Sequence, residues 1–325
     1  MKILITGGLG AVGAPLTDVL RRRGNEVWVL DREHHHGLNG SYYLRSDVGE
    51  FRQVENVMKR VPFDLVYHAA AEFGRINGEE FYETLWRSNA VGTKNMIRLQ
   101  ERYGYRMVVF SSSEVYGDWD DVMLEEIPDK HAIAQLNDYA ISKWVNELQV
   151  RNSIATHGTE TVIVRLFNTY GPGEPYSEYR SVVCKFIYCA LHDLPYTVFL
   201  NHHRTSSYID DTCRTLANIS ERFKPGAVYN IAGETYHDIK TLSDLILEKC
   251  GKTDKLVNYV EYDRGNTRDK KTSAARARAD LNHRQTVSLE EGIARTIEWQ
   301  RNYYFPTASR SESARDATMT PGIAA

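Results

Sequence analysis

The chain has few cysteines and no long apolar run, and these two features exclude several classes of protein. Only four of the 325 residues are cysteine, and none forms a CxxC pair or stands at zinc-finger spacing from a histidine, which argues against a disulfide framework and against structural zinc. No apolar stretch could cross a bilayer, and the three apolar residues after Met1-Lys2 are too few for a signal peptide. We therefore expect a cytoplasmic protein with reduced thiols and no membrane partner.

A surplus of positive charge is also missing. Forty Lys and Arg residues stand against 43 Asp and Glu residues, the formal net charge is −3, and no long basic run occurs. Nucleic acid is therefore not an expected partner. Hydrophobic residues make up 42% of the chain, which is enough for a packed core at this length. A globular protein with a small-molecule ligand is the class that remains.

The first 31 residues carry a glycine-rich pattern between two apolar runs. A run at 3–5 is followed by TGGLGAVG, by a helical stretch and by a second run at 27–30 that ends at Asp31. Three glycines punctuate the turn: Gly7, Gly10 and Gly13. Glycines let the backbone approach a pyrophosphate, and the N-terminus of the following helix offers N–H groups to it. This strand, turn, helix and strand predict a dinucleotide site.

The acid at the end of the second run bears on which dinucleotide binds. Asp31 can accept hydrogen bonds from both ribose hydroxyls of NAD, and it would repel the 2′-phosphate of NADP. Arg32 weakens this preference without reversing it, because a guanidinium could also meet a phosphate. The sequence therefore favours NAD.

Apolar runs alternate with amphipathic stretches as far as about residue 166, which predicts a parallel α/β sheet of the doubly wound Rossmann type. The further strand candidates are 65–67, 107–110, 162–164 and 228–231. Beyond residue 166, loops and a second group of helices indicate a smaller C-terminal domain for the substrate. The predicted division is 1–167 with parts of 205–235 for NAD, 168–204 with 236–303 for the substrate, and a disordered tail at 306–325.

A second constellation follows the apolar run that ends at Phe110. The segment SSSEVYG comes first, and YAISK places Tyr139 and Lys143 four residues apart, on one helix face. An ammonium near a phenol favours the phenolate, so this pair can act as a base. The hydroxyl of Ser112 could hold the substrate hydroxyl during proton transfer. YxxxK alone would also fit an ordinary pair on a surface helix.

With these motifs in place, the sequence resembles the extended short-chain dehydrogenase/reductase family over nearly all of its length, to about residue 300. The matching motifs are TGGLGAVG, Asp31, DV at 47–48, HAAA at 68–71, SSSEVYG, YxxxK, RLFNTYGP at 165–172, and Arg204 before YIDD at 208–211. The resemblance implies NAD as cofactor, a nucleotide-activated sugar as substrate, and a homodimer.

The resemblance also implies the residues of each site. Catalytic roles would fall to Ser112, Ser113, Glu114, Tyr139 and Lys143. The cofactor would contact Gly7, Gly10, Ala11, Val12, Gly13, Asp31, Arg32, Asp47, Val48, Ala69, Ala70, Ala71, Asn89, Tyr139 and Lys143. The sugar nucleotide would contact Glu72, Asn168, Arg180, Arg204 and Arg268, and for each arginine a structural salt bridge is the alternative. No metal is implied, because three consecutive histidines at 34–36 rarely converge on one ion.

In the branch of the family that acts on nucleotide sugars, Tyr139 would take the proton of the 4-hydroxyl while hydride leaves C4 for NAD. The resulting 4-keto sugar can accept hydride on its other face, lose water, or, as a uronate, lose carbon dioxide. Return of the hydride regenerates the cofactor. A simple alcohol dehydrogenase would instead release NADH.

Glu114 and Lys270 are the residues that help to predict which of these three fates the 4-keto sugar meets. Resembling dehydratases and decarboxylases carry a carboxylate at the position of Glu114, and simple 4-epimerases generally do not; a salt bridge or a cap is the alternative role for this residue. Lys270 falls where the decarboxylases carry an arginine, and lysine lacks the bidentate fork for a carboxylate. The expected function is therefore an epimerase or a 4,6-dehydratase. A UDP-uronate decarboxylase, a non-catalytic NAD sensor and a simple alcohol dehydrogenase are the alternatives.

Overall fold

A parallel β-sheet organises the chain. The computed structural model describes residues 1–34, 42–261, 263 and 265–306. Two histidines of the 34–36 trio and all but the first residue of the tail predicted at 306–325 therefore lie outside the described residues. The strands are β1 (Lys2–Thr6), β2 (Glu26–Asp31), β3 (Tyr43–Arg45), β4 (Leu65–His68), β5 (Arg106–Ser112), β6 (Thr161–Leu166), β7 (Thr169–Tyr170), β8 (Tyr196–Phe199), β9 (His203–Thr205), β10 (Ser207–Tyr208), β11 (Val228–Ile231), β12 (Tyr236–Asp238) and β13 (Val257–Val260). Within the described residues, the main sheet has seven parallel strands in the order β11-β6-β5-β4-β1-β2-β3.

Helices connect the strands and cover both faces of this sheet. They are α1 (Gly13–Arg22), α2 (Phe51–Arg60), α3 (Arg75–Glu80), α4 (Tyr82–Trp86), α5 (Gly92–Tyr103), α6 (Ile127–Lys130), α7 (Asp138–His157), α8 (Val182–Leu191), α9 (Ile209–Asn218), α10 (Ile239–Cys250), α11 (Ala275–Leu281) and α12 (Leu289–Tyr304). A wider π-type turn at Arg87–Val91 joins α4 to α5, and a 3₁₀ turn at Ser113–Tyr116 follows β5. In the described part of the chain, no helix is both long and apolar enough to cross a membrane.

The apolar runs read from the sequence are strands buried on both faces. In β1, Ile3 and Ile5 pack into one hydrophobic cluster and Leu4 packs into another, on the opposite side of the sheet. Successive side chains of a strand point to opposite faces, so a strand covered on both sides is apolar throughout. This confirms the doubly wound fold that the alternating pattern predicts.

The C-terminal part of the chain adds small two-stranded sheets to this framework. They pair β10 with β7, β12 with β9, and β13 with β8. The predicted strand at 228–231 returns to the main sheet as β11, which pairs with β6. The division into a cofactor domain and a substrate domain stays a prediction.

A buried ion pair fixes the ends of the central strands. Arg165 at the end of β6 is fully buried and donates two hydrogen bonds to Glu147 of α7, at 2.9 and 2.7 Å. Ser111 of β5 donates to the same carboxylate at 2.5 Å, and the third guanidinium nitrogen of Arg165 donates to the hydroxyl of Tyr116 at 2.9 Å. This network therefore joins β5, β6, α7 and the 3₁₀ turn, the elements that carry the SSSE and YxxxK motifs.

Candidate active site

Two adjoining cavities open where the parallel strands end, which is the edge at which open α/β sheets bind ligands. The first cavity, of about 370 Å³, is lined by the glycine turn, Asp31, Asp47 and Val48, among other residues. The second cavity, of about 270 Å³, is lined by Ser112, Glu114, Tyr139 and Lys143, among others. The walls that both cavities share include Gly7, Gly10, Ala69, Ala71, Phe73 and Arg180. Together they offer one continuous cleft of the size of a ligand site.

The glycine turn has the shape that a pyrophosphate requires. Gly7 adopts a positive φ of 68°, and a Cβ there would lie 2.7 Å from backbone atoms of Ala70. A Cβ on Gly13 would lie 2.2 Å from the carbonyl oxygen of Gly7. The two positions therefore admit only glycine, and the turn places Ala11 and Val12 at the wall of the second cavity. Pro15, in the first turn of α1, lacks an N–H group, which this part of a helix tolerates.

The far end of the first cavity is polar and acidic. Asp31 accepts hydrogen bonds from the backbone N–H groups of Leu9 at 3.0 Å and Glu33 at 3.2 Å, so its carboxylate is fixed at the end of β2. Asp47 accepts from the N–H of Gly49 at 2.8 Å. The hydroxyl of Ser46 lines the cavity and is buried without a hydrogen-bond partner among the described residues. Such a cavity fits an adenosine group, whose ribose and base supply matching hydrogen-bonding atoms.

The second cavity brings Ser112, Tyr139 and Lys143 together, as the sequence predicts. The Ser112 hydroxyl accepts from the N–H of Glu114 at 3.2 Å, and it acts to lower the pKa of Tyr139. Lys143 donates to the carbonyl oxygen of Phe110 at 3.0 Å, and its Nζ lies 5.8 Å from the centroid of the Tyr139 ring. The end of β5 and the first turns of α7 thus supply the three side chains.

Burial has the largest effect on the pKa values of Tyr139 and Lys143. It raises the pKa of Tyr139 above its ordinary value, and the hydrogen bond from Ser112 opposes this only in part. Burial lowers the pKa of Lys143 to about 8. Desolvation is the largest influence on the pKa of this phenol, and the expectation that the ammonium favours the phenolate stays a prediction.

Glu114 forms an ion pair with Lys270 inside the second cavity. The ammonium donates to the carboxylate, and the Lys270 side chain is only 4% exposed. Burial by itself would raise the pKa of Glu114, but attraction to Lys270 and a hydrogen bond from it bring that pKa below its usual value. Burial, with the nearby charges of Arg204 and Arg75, lowers the pKa of Lys270 although Glu114 raises it. The sequence reveals the substitution of lysine for arginine here but not this pairing, since the two residues are 156 positions apart.

Two predicted substrate residues line the second cavity. Arg180 faces both cavities. Asn168 adopts a positive φ of 35°, and its Oδ1 is buried without a partner among the described residues. Glu72 instead lines the first cavity, where it forms an ion pair with Arg32.

Three other predicted residues are absent from the described walls of both cavities. Asn89 is fully buried and binds the backbone of Glu72 at 2.8 and 3.1 Å. Arg204 donates to the carbonyl oxygens of His203 and Arg268 at 2.7 and 3.0 Å. Arg268 donates to the carbonyl oxygen of Asn201 at 3.1 Å. In this structure these side chains hold segments of the chain together, and their contact with a ligand stays a prediction.

The chain is similar in sequence to enzymes of known class. A model of the NAD dependent epimerase/dehydratase family matches residues 3–232. A dTDP-glucose 4,6-dehydratase of Streptomyces antibioticus is 28% identical over 93% of each chain. UDP-glucuronic acid decarboxylase 1 of Xenopus tropicalis is 29% identical over 92% of this chain and 72% of its own length.

Solved structures with the same fold include the epimerase Mth375 of Methanothermobacter thermautotrophicus, which is 25% identical with a TM-score of 0.84 over 93% of each chain. The UDP-glucuronic acid 4-epimerase of Bacillus cereus is 23% identical and covers 94% of this chain with all of its own, again with a TM-score of 0.84. At that identity the second likeness concerns the fold alone.

Proposed function

Because the chain belongs to the NAD dependent epimerase/dehydratase family, we propose that it modifies a nucleotide-activated sugar through a 4-keto intermediate, with loss of water as the favoured outcome. The observation that carries the choice of outcome is the carboxylate of Glu114, which lies in the same cavity as Tyr139 and is kept ionised by Lys270. Epimerisation at C4 is the outcome that would leave Glu114 without a chemical role.

NAD would occupy the first cavity with its adenosine half and the second with its nicotinamide. Asp31 would bind the ribose hydroxyls, Asp47 and Val48 would lie at the adenine, and the glycine turn with Ala69 to Ala71 would line the remainder. Bound there, the cofactor supplies a hydride acceptor for C4 of the sugar.

Tyr139 is the proposed base for the 4-hydroxyl. Its side chain lines the same cavity as Ser112, so a substrate hydroxyl placed between the two would meet an acceptor and a positioning group. Lys143 lies beside the ring and is mostly protonated at neutral pH, because its pKa is about 8. Positive charge at this place stabilises the phenolate form of Tyr139 during the transfer.

Glu114 is the proposed base at C5. A 4-ketone acidifies the C5 proton. Glu114 would accept that proton and return one to the departing 6-hydroxyl, which leaves as water; the hydride taken from C4 would then add to C6 of the resulting 5,6-alkene while C5 regains a proton. A buried carboxylate of lowered pKa is ionised at neutral pH, so Glu114 is in the form that accepts a proton. Asn168 and Arg180, in the same cavity, are candidates for the substrate diphosphate.

Decarboxylation of a uronate is the second candidate, because relatives with 27–29% identity are UDP-glucuronic acid decarboxylases. Against it, the cation nearest to Glu114 is already bound to that carboxylate rather than free for the carboxylate of a sugar.

In the deciding experiment, the purified chain and NAD are incubated with UDP-, dTDP-, GDP- and CDP-sugars, including a uronate. The molecular masses of the products are then measured by mass spectrometry. Loss of one water supports the proposal, and loss of carbon dioxide supports the second candidate. An unchanged mass with a new NMR spectrum identifies an epimerase. Accumulation of NADH would identify a simple alcohol dehydrogenase.

A homodimer and a cytoplasmic location are also part of this proposal. Two apolar side chains on α7, Ile141 and Leu148, are exposed, as are Val91 and Tyr103 at the two ends of α5. Pairing of these neighbouring helices across a two-fold axis would cover them. Light scattering of the purified chain tests the dimer. The free cysteines of the described chain agree with a reducing compartment.

A further inference from the structure

Arg32 follows Asp31 at the place where a cation would normally help NADP. A guanidinium after the second strand can bind the 2′-phosphate in a bidentate manner, so this residue, read alone, opposes the preference that Asp31 sets. The side chain lines the first cavity and is about half exposed. Whether it is available to a phosphate depends on its partners.

Its closest carboxylate partner is Glu72. Arg32 Nη2 lies 2.7 Å from Glu72 Oε1, whereas its Nε lies 3.6 Å from Glu33 Oε1. The Glu72 side chain is 14% exposed and that of Glu33 is 70% exposed. An ion pair with a partly buried partner at hydrogen-bond distance is stronger than a longer one in water. Glu72 is therefore the residue that determines where the guanidinium points.

Glu72 is itself held in place on the loop after β4. Asn77 donates to its second carboxylate oxygen at 3.0 Å. Asn89 accepts a hydrogen bond from the backbone N–H of Glu72 at 2.8 Å and donates one to the carbonyl oxygen of Glu72 at 3.1 Å. Asn89 also donates to the hydroxyl of Ser142 at 3.0 Å. These hydrogen bonds fix the position of the Glu72 carboxylate. If the guanidinium of Arg32 moved towards a phosphate, the carboxylate would not move with it.

We infer that Glu72 selects NAD against NADP by binding the guanidinium of Arg32, which is thereby withheld from a 2′-phosphate in the cavity that Asp31 and Asp47 line. A 2′-phosphate entering this cavity would meet the carboxylates of Asp31 and Asp47, and Arg32 could compensate only by leaving Glu72. NAD carries a neutral hydroxyl at that position, so the carboxylates do not repel it. The inference rests on the proposed placement of NAD in the first cavity.

The test compares Glu72→Gln with Glu33→Gln. Both variants remove one negative charge from a partner of the same guanidinium, so Glu33→Gln is the matched control. The dissociation constants of NAD and NADP are measured for the full chain by calorimetry, after thermal melting has shown that each variant is folded. In Glu72→Gln we expect the affinity for NADP relative to NAD to rise by about tenfold or more, and in Glu33→Gln by less than about threefold.

A third variant assigns the gain to Arg32. Adding Arg32→Gln to Glu72→Gln should abolish most of the rise in NADP affinity, since no guanidinium remains to meet the phosphate. An unchanged ratio in Glu72→Gln, an equal rise in Glu33→Gln, or a gain that survives the loss of Arg32 would each overturn the inference. If the wild-type chain binds neither nucleotide, the cofactor site and this inference both fail. If it binds NAD but transforms no sugar nucleotide, only the proposed function fails.

Discussion

At the scale of single residues, the proposed chemistry depends on a phenol that is harder to ionise than it is in water. Burial raises the pKa of Tyr139, and Ser112 offsets this only in part. The phenol can therefore act as a base only when positive charge lies beside it, and Lys143 supplies one such charge. Residue type and spacing allow the sequence to predict this group, but not the degree of burial that controls it.

Tyr139→Phe should remove the proton acceptor and leave the cavity walls in place. We expect turnover to fall by about 10²- to 10⁴-fold, the range that a positioned acid or base contributes. The dissociation constant of NAD should change little, because the ring remains. Product formation and calorimetric titration with NAD measure the two effects. Tyr303→Phe, at an exposed position on α12, is the control. Activity of the Tyr139 variant near that of wild type would remove this residue from the mechanism.

Lys270→Met should change the pH dependence of activity. Burial raises the pKa of Glu114, and Lys270 is the largest of the influences that lower it. When the ammonium is lost, the burial effect remains, so the pKa rises and the carboxylate form is reached only at higher pH. The acid limb of kcat/KM is expected to move to higher pH by about one unit or more.

The exposed neighbour Lys271 provides the control for this variant. Lys271→Met should leave the acid limb unmoved, whereas Glu114→Gln should stop water loss at every pH. An acid limb at the wild-type position in Lys270→Met would show that Lys270 does not govern the titration of Glu114.

At the scale of secondary structure elements, one face of α7 carries the site and its support. Tyr139, Lys143 and Glu147 follow one another at intervals of four residues, so they share a face of the helix. The first two line the second cavity, and the third binds Arg165 of β6. The ion pair thereby fixes the helix against the strands whose ends hold Ser112 and Asn168.

Breaking this ion pair should destabilise the whole protein. Glu147→Gln or Arg165→Met leaves one fully buried partner uncompensated, which costs about 3–5 kcal/mol of unfolding free energy. Arg151→Met is the control, because Arg151 approaches the same carboxylate from a partly exposed position at 3.6 Å and should cost less than about 1 kcal/mol. Urea unfolding measures both values. Equal losses in the control and in the Glu147 variant would contradict a structural role for the buried pair.

The sequence predicts elements well where local pattern decides them. Apolar runs, turn glycines and the YxxxK spacing correspond to β1, β2, β4, β5, β6, β11 and α7. The strand β3 has only three residues, too few for a periodic signal. Contacts between distant residues were not predictable: Glu114 with Lys270, Arg32 with Glu72, and Arg204 with the backbone of Arg268 all depend on how the elements pack.

At the scale of the whole molecule, the cleft is assembled from distant parts of the chain. It is lined by the glycine turn after β1, the loop after β4 and the end of β5. Arg180 and Lys270 come from the C-terminal half, from segments that the sequence assigns to a substrate domain. One cleft with a dinucleotide site at one end and acid–base groups at the other can keep a sugar bound through successive steps.

The central claim is that oxidation and reduction occur on the same bound sugar. Nucleotide sugars labelled with deuterium at C4 of the hexose, incubated with the chain and NAD, test it directly. We predict that deuterium is retained in the dehydrated product and that no NADH accumulates. Deuterium appearing in released NADH, or a dehydrated product without the label, would contradict the account.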